Sequence, residues 1–541
     1  MTDSGSADVI VVGAGSAGCA MAARLAADGR MRVMLIEAGE DDPWIWLKVP
    51  AGVAHVVRGE RALWRFSTEP EPEMKGRRIF WPRGRVVGGS SQVNGMIWVH
   101  GDPAEYNLWR DELGLADWGY EQVKPVLRDL ESYAAGSAQH RGHQGPVHIT
   151  EYGPQQPFMK AWVDACTSAG IPSNSDYNGE RYEGVGFLQF NTRRGWRVGA
   201  REAFLRPALR RGNLQLVQGA KVQRILFDGR QACGVEVVQN GQRMTFRSRR
   251  EVVLCAGAIQ SPQLLELSGI GNARLLQGLG VPVLHDLPAV GENLLDHLHT
   301  RLCFEVRGIH TLNQIMPSAW RKAIMGLRWL LAGDGLMSVS AQIAHALART
   351  DDSASRVEAK LQLHWLTSPD ARDPKRLVLD DYPGVSIGTF PLRPRSRGHV
   401  HIRSTDPDEA PAMVANYLSH EDDRRHTVAA MRLARKIVAQ PALAPWIVRE
   451  TRPGTQAQSD DELLDYVRGI AQTSYHPIGS CRMGADAASV VDGRLCVRGV
   501  TGLRVADASI MPTMPSANTN APAMMIGERA ARFVLDELGH H

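Results

Sequence analysis

Asp8 to Val12 is an unbroken apolar, β-branched run and reads as a buried strand. After the turn Gly13-Ala-Gly15-Ser-Ala-Gly18 the pattern becomes an Ala/Leu-rich helix that ends near Ala27. A second apolar strand, Arg32 to Ile36, stops at Glu37. Further along, Val252 to Cys255 reads as another buried strand, and His399 to Ile402 alternates as a half-buried one. Val428, Met431, Ile437 and Val438 mark one face of an amphipathic helix. Pro522 to Leu538 reads as the last helix, with its proline near the first turn.

The opening pattern is the strand, glycine turn, helix, strand, acid order of a dinucleotide site. Gly13 allows the tight turn, Gly15 lets a pyrophosphate approach the backbone, and Gly18 lets helix and strand pack closely. The helix N-terminus offers free N–H groups and partial positive charge to the phosphates. Gly13, Gly15, Ser16, Ala17 and Gly18 are therefore expected cofactor contacts, with Glu37 and Ala38 at the end of the second strand. Glu37 is placed to accept hydrogen bonds from both ribose hydroxyls and to repel a 2′-phosphate. The motif does not choose between FAD and NAD.

Composition adds limits. The chain has 541 residues, 43% of them hydrophobic and 22% charged, as in ordinary globular proteins. At roughly 150 residues per domain this suggests two to four domains. Lys plus Arg number 62 and Asp plus Glu 58, a net +4 that gives no nucleic-acid or membrane patch, so no nucleic-acid partner is expected. No uncharged apolar run approaches about eighteen residues; Ala323 to Ala332 is interrupted by Arg328 and too short to span a membrane. Seven scattered cysteines without a CxxC speak against a disulfide framework and a zinc site. With no basic or apolar leader in MTDSGSAD, a soluble protein of the reducing cytoplasm is expected.

Other glycine-rich clusters punctuate the chain. Gly84-Arg-Val-Val87-Gly88-Gly89-Ser90-Ser91-Gln-Val-Asn94-Gly95 can form an anion-binding nest. Gly257-Ala-Ile-Gln-Ser261-Pro262 runs on to Ser268-Gly269-Ile-Gly271 directly after the strand ending at Cys255. Near the end come Thr473-Ser-Tyr475-His476-Pro-Ile-Gly479, then Gly502-Leu-Arg-Val-Ala-Asp507-Ala508, then Ser516-Ala-Asn518-Thr-Asn520. In this order and spacing the segments resemble the glucose–methanol–choline (GMC) family of FAD-dependent oxidoreductases over nearly the whole chain. The bacterial alcohol dehydrogenase, choline dehydrogenase and hydroxymethylfurfural oxidase branches are the most similar.

The resemblance implies an α/β fold: a discontinuous Rossmann-like FAD-binding domain from residues 1–155, 205–305 and 455–541. An α+β substrate-binding domain with an antiparallel sheet would take 156–204 and 306–454. It implies FAD, and oxidation of a primary alcohol to an aldehyde by hydride transfer to flavin N5. The electron acceptor stays open between oxygen, a quinone and another carrier. His476 matches the family's histidine at the flavin and Asn518 the neighbouring position. A neutral imidazole takes the alcohol proton near neutral pH, and an amide N–H steadies the developing alkoxide. Val87, Gly88, Asn94 and Gly95 would face the flavin side, Val222 the adenine, and Asp507 and Ala508 the pyrophosphate region. Asn518 and Asn520 precede the last helix, whose N-terminus would favour an anionic reduced flavin; Asn518 as a simple helix cap is the blander reading. Some family members bind FAD covalently through a histidine one residue before the Asn94 position. Val93 stands there, so the FAD is expected to be non-covalent.

Two rivals remain: a cyanohydrin-cleaving lyase of the same fold, and a non-catalytic flavin-binding protein. His420-Glu421 resembles the start of HExxH, but the next histidine is His426, off the face a zinc site needs. Asp296-His297-Leu-His299 and the group His140, His143 and His148 lack a metal-site context, so no metal is expected. Arg193, Arg194, Arg197 and Arg201 read as a solvated or inter-domain face. The terminal His540-His541 pair fits a tag remnant. Gly335 to Leu347, where choline-type relatives commonly carry an acid, has no carboxylate here.

Overall fold

The computed structural model describes residues 2–351, 353–369 and 378–538. The terminal His540-His541 pair lies outside them. Two seven-stranded sheets organise the chain. In the first, Leu214–Val217, Val33–Ile36, Thr2–Val12, Gln242–Leu254 and Leu503–Val505 run parallel, with Leu503–Val505 on the far end of Gln242–Leu254. The start of Gln242–Leu254 pairs antiparallel with Gln231–Gln239, which pairs with Ala220–Asp228. Val9 to Val12 are buried throughout, as strands covered on both faces require.

The glycine turn delivers the chain into helix Ser16–Asp28, which packs on the last helix, Asn520–Leu538. Gly18 has no room for a side chain, since an added Cβ would lie 1.9 Å from the Gly13 carbonyl oxygen. Gly13 itself sits at φ +102°, where residues with a Cβ are strained. The two helices approach so closely that a Cβ on Gly527 would meet the Ala17 carbonyl oxygen at 2.1 Å.

The second sheet is antiparallel, in the order Ile447–Arg452, Leu298–Val306, Gly384–Pro391, Ala359–His364, Gln342–Ala348, Gly184–Phe187. Gln472–Thr473 pairs with the start of Leu298–Val306. The expected boundary at 305 therefore cuts through a strand. Hydrogen bonding of Leu298–Val306 to Gly384–Pro391 binds it to the second sheet, so the change of sheet falls before residue 298. Helix Glu421–Val438 covers one face of this sheet, burying Val428, Met431 and Ile437 against an apolar layer that includes Leu302, Ile387 and Leu361. His420 is only the cap of that helix, its Nδ1 accepting from the Asp422 amide. The opposite face is polar, and the site lies on it. Among the described residues no helix is long and apolar enough to cross a membrane.

Candidate active site

One cavity of about 900 Å³ runs from the glycine turn to the polar face of the second sheet. Gly13, Gly15, Ser16, Ala17, Glu37, Ala38 and Val222 line one end, with Asn94, Gly95, Asp507, Ala508 and Asn520 along its length. His476 and Asn518 lie at the other end. Gly18, Val87 and Gly88 do not reach it. Gly18 serves the helix contact. Val87 is buried, its amide donating to the Glu40 carbonyl, and the Gly88 amide donates to the Ala14 carbonyl at 2.7 Å. These residues brace the turn from behind, and Gly89 and Ser90 line the cavity in their place.

At the dinucleotide end, Glu37 Oε2 accepts from the Ala14 amide at 2.9 Å and Oε1 from the Gly39 amide at 2.8 Å. Burial pushes its carboxyl up to about 7, while those amides favour the charge. Asp507 accepts from the Gly257 amide, Ser261 Oγ and the Ser509 amide, so it ties the second glycine cluster to the C-terminal segment. Ser16 Oγ donates to Asn520 Oδ1 at 2.8 Å, leaving the buried Asn520 Nδ2 without a partner. A Cβ on Gly15 would meet nothing within 4 Å, so bare backbone faces the cavity there. A bare glycine, an orphaned amide donor and a carboxylate at the second strand are what an FAD adenosine diphosphate moiety needs. The residues present fit FAD.

At the catalytic end, hydrogen bonding fixes each tautomer. The buried His297 places Nε2 2.9 Å from the Leu392 carbonyl, which only accepts, so that nitrogen carries the proton. His297 Nδ1 is then an acceptor, and it faces His476 Nδ1 at 2.9 Å. His476 therefore donates from Nδ1 and keeps a lone pair on Nε2. That lone pair faces Asn518 Nδ2 at 3.0 Å. Asn518 Oδ1 accepts from Lys360 Nζ at 2.7 Å, so the asparagine is not a helix cap. The His476 amide donates to Asp296 Oδ1 at 2.8 Å, and Asp296 also accepts from Thr473 Oγ1 and Tyr417 Oη.

Burial holds the His476 imidazole well below its usual range, with His297 and Lys360 adding to the effect. Burial also brings His297 down to about 4 and Lys360 down to about 7. A neutral imidazole whose unprotonated nitrogen faces a cavity has the chemistry of a proton acceptor.

Sequence reasoning set Asp296 and His297 aside as an empty metal pattern, yet both hold His476. Lys360 was missed altogether. Its signal was a lysine in an apolar strand, Ala359–His364, where every residue is buried. Among the four arginines read as a solvated or inter-domain face, only Arg193 and Arg194 are exposed. Arg197 donates to Asn94 Oδ1 at 2.8 Å, and Arg201 pairs with Glu202 at 2.7 Å and with Asp41.

Family models described as GMC oxidoreductase match residues 7–299, for the N-terminal part, and 394–527, for the C-terminal part. An oxygen-dependent choline dehydrogenase of Photobacterium profundum is 37% identical over 532 residues, 98% of this chain and 93% of its own. Its counterpart in Brucella anthropi is 39% identical over 533 residues, covering 98% and 95%. The crystal structure of pyridoxine 4-oxidase from Mesorbium loti superposes with a TM-score of 0.88 at 30% identity, covering 99% of both chains. Formate oxidase of Aspergillus oryzae, 24% identical with a TM-score of 0.91 over the whole of both chains, shares the fold. The chain belongs to the GMC oxidoreductase family and is an FAD-dependent enzyme that oxidises alcohols.

Proposed function

We propose that the protein oxidises a primary alcohol to an aldehyde, with His476 as the base and Asn518 as the donor that holds the alcohol oxygen. The observation that carries this reading is the chain of fixed tautomers that ends in the unprotonated His476 Nε2, which faces Asn518 Nδ2. His476 Nε2 takes the O–H proton, and Asn518 Nδ2 turns its hydrogen bond to the oxygen as negative charge develops there. Bound FAD supplies the acceptor for the C–H hydride. Gly15, Glu37, Val222, Asp507 and Asn520 would hold its nucleotide part, and Asn94, Gly95 and Ala508 the part nearer His476. We assign the FAD-binding domain to residues 1–155, 205–297 and 455–541, and the substrate-binding domain to the rest. Seven free thiols, five of them buried, support a cytoplasmic location.

The relatives' names put choline among the candidate substrates and oxygen among the candidate acceptors. The lyase reading gains no support from relatives that are oxidoreductases by name, and the intact His476–Asn518 pair counts against a non-catalytic protein. The test is anaerobic: alcohols are screened for flavin bleaching, and oxygen is then admitted to time reoxidation. Bleaching by a primary alcohol is the expected result; a flavin that stays oxidised with every alcohol defeats the reading.

A further inference from the structure

The polar face of the second sheet is assembled by register. Arg301 pairs with Gly388, Gly388 with Gln362, and Gln362 with His345, so these four project from one face of four adjacent strands. Gly388 leaves room for what stands above it. A Cβ there would lie 2.1 Å from His299 Nε2 and 2.7 Å from His364 Nε2. Both of those nitrogens are buried and without a partner, as is Gln362 Nε2. Gln362, His299 and Arg301 line the cavity beside Phe390, Tyr475 and His476.

Arg301 differs from three arginines whose charge is met by a carboxylate. Arg141 has Glu131 at 2.7 Å, Arg504 has Glu251 at 2.6 Å, and Arg435 has Glu450 at 2.7 Å. Arg83, also on the cavity, donates to the Tyr475 carbonyl. Among the described residues, the Arg301 guanidinium has no carboxylate partner and makes no hydrogen bond; the groups that act on its charge are Cys303, Tyr475 and Tyr466. Only two carboxylates line the whole cavity among the described residues, Glu37 and Asp507. Both belong to the dinucleotide end and are taken up by backbone amides. Arg301 is half-buried on the cavity wall, and an unpaired guanidinium there presents a planar fork that matches a carboxylate.

We infer that the catalytic end of the cavity is built for an alcohol that also carries a carboxylate, with the Arg301 guanidinium receiving that carboxylate. The inference rests on the alcohol-oxidation reading and adds the charge of the substrate to it. Arg301 and His476 line one cavity and share neighbours. The Phe390 ring centre lies 6.3 Å from that of His476 and 6.1 Å from that of His299, and Tyr475, next to His476 in the chain, feels the Arg301 charge. A single molecule therefore presents its hydroxymethyl group to one and its anion to the other. The unpartnered Gln362 and His299 nitrogens supply further polar contacts beside the arginine. Among the described residues, the wall at this end offers a cation no carboxylate.

The test uses the FAD-loaded full chain at one pH. Its substrates are 4-(hydroxymethyl)benzoate and 6-hydroxyhexanoate, each against its methyl ester. Anaerobic flavin reduction gives the ratio of kcat/KM for acid and ester, and calorimetry compares binding of 4-methylbenzoate and 4-methylbenzamide to the resting enzyme. We expect at least one acid to exceed its ester about ten-fold, and the benzoate to bind more tightly than the amide by a similar factor. Arg301→Met should bring both ratios close to one, and Arg301→Lys should keep part of the preference. Equal rates for acid and ester in the wild-type enzyme overturn the inference even if the variants fail to fold. A preference that survives Arg301→Met also overturns it, as does a uniform fall for acid and ester alike, which would mean the arginine serves the cofactor. Neutral alcohols that bleach the flavin without any gain from a carboxylate sink this inference and leave alcohol oxidation standing. Failure of every alcohol removes both.

Discussion

Lys360 Nζ lies 2.7 Å from Asn518 Oδ1, and this contact decides which end of the amide faces His476. An amine or ammonium with hydrogens toward the amide draws its oxygen. Nδ2 is thereby turned to His476 Nε2 and to the space where an alcohol oxygen would sit. Lys360 does not itself line the cavity and acts through Asn518, so it is a positioning residue.

Replacing Lys360 with Met frees the Asn518 amide to turn over. Flavin reduction by a neutral alcohol should slow by about ten-fold, the scale of one lost positioning hydrogen bond. The wild-type rate should also show a step near pH 7, where Lys360 loses its charge, and the variant should lack it. Stopped-flow reduction between about pH 5.5 and 9 reads both, and comparison with the variant separates Lys360 from Glu37 and Asp296, which burial brings to about 7 and about 6. A variant with the wild-type profile would remove Lys360 from the arrangement.

The same lysine leaves a mark on stability. Its ordinary value is 10.5 and burial brings it to about 7 in the folded protein. Between those values the unfolded chain holds a proton that the folded chain has released, so stability rises with pH across that window. Denaturant unfolding of wild type and Lys360→Met at pH 7 and at about pH 9 should show the wild type gaining on the variant as pH rises. A constant difference would mean that Lys360 keeps an ordinary affinity for its proton.

Much of the first sheet was legible because each part has a local signature. The run Asp8 to Val12, the glycines that allow a turn and a close helix, and the acid at the end of the second strand all report themselves within forty residues. The structure extends the first strand to Thr2–Val12 and the last helix to Asn520–Leu538, where pairing and packing outrun hydrophobic pattern. The support of His476 was not legible. His297 and Lys360 lie 179 and 116 positions before His476 and reach it only through the register of the antiparallel sheet. Nothing in a local window distinguishes His297 from His299, which differ by one turn of the pleat and face different partners.

His476→Ala should retain FAD and lose about 10²–10⁴-fold in flavin reduction, the usual worth of a general base. His297→Phe removes the acceptor that keeps the proton on His476 Nδ1 and should cost about ten-fold. His297→Asn, whose oxygen again accepts, should recover part of that loss. Because burial holds both imidazoles low, the limb of the pH profile belonging to His476 should lie below its usual range. Rapid-reaction kinetics on FAD-loaded variants separates these outcomes; near-native reduction by His476→Ala would exclude it as the base.

Glu37 holds the glycine turn through the Ala14 and Gly39 amides as well as lining the cavity. Glu37→Ala should therefore weaken FAD retention by more than ribose contacts alone explain, with about 1–3 kcal/mol for each lost charged hydrogen bond. Ultrafiltration of free flavin against protein concentration measures it. Val93 at the position one before Asn94 offers no nucleophile, so acid precipitation of the wild type should release intact FAD. Yellow colour left in the precipitate would contradict that.

The last prediction sets this chain apart from the choline dehydrogenases it resembles in sequence. A quaternary ammonium accepts no ordinary hydrogen bond and is recognised by an anion or by aromatic faces. Ser340 and Gln342, from the segment without a carboxylate, stand at the cavity wall with Ser340 Oγ and Gln342 Oε1 3.8 and 3.9 Å from the Cβ position of Gly95. Around them are Gln362, His299 and the unpaired Arg301, and Lys360 is buried behind Asn518. A cationic Arg301 opposes choline, whose aromatic neighbours beside His476 would be Phe390 and Tyr475. Uncharged primary alcohols should therefore be oxidised with higher kcat/KM than choline when an artificial dye accepts the electrons. Steady-state kinetics on choline and on 3,3-dimethylbutan-1-ol, its neutral isostere, decides the point. If choline exceeds the isostere, charge is being recognised by a group that these side chains do not include.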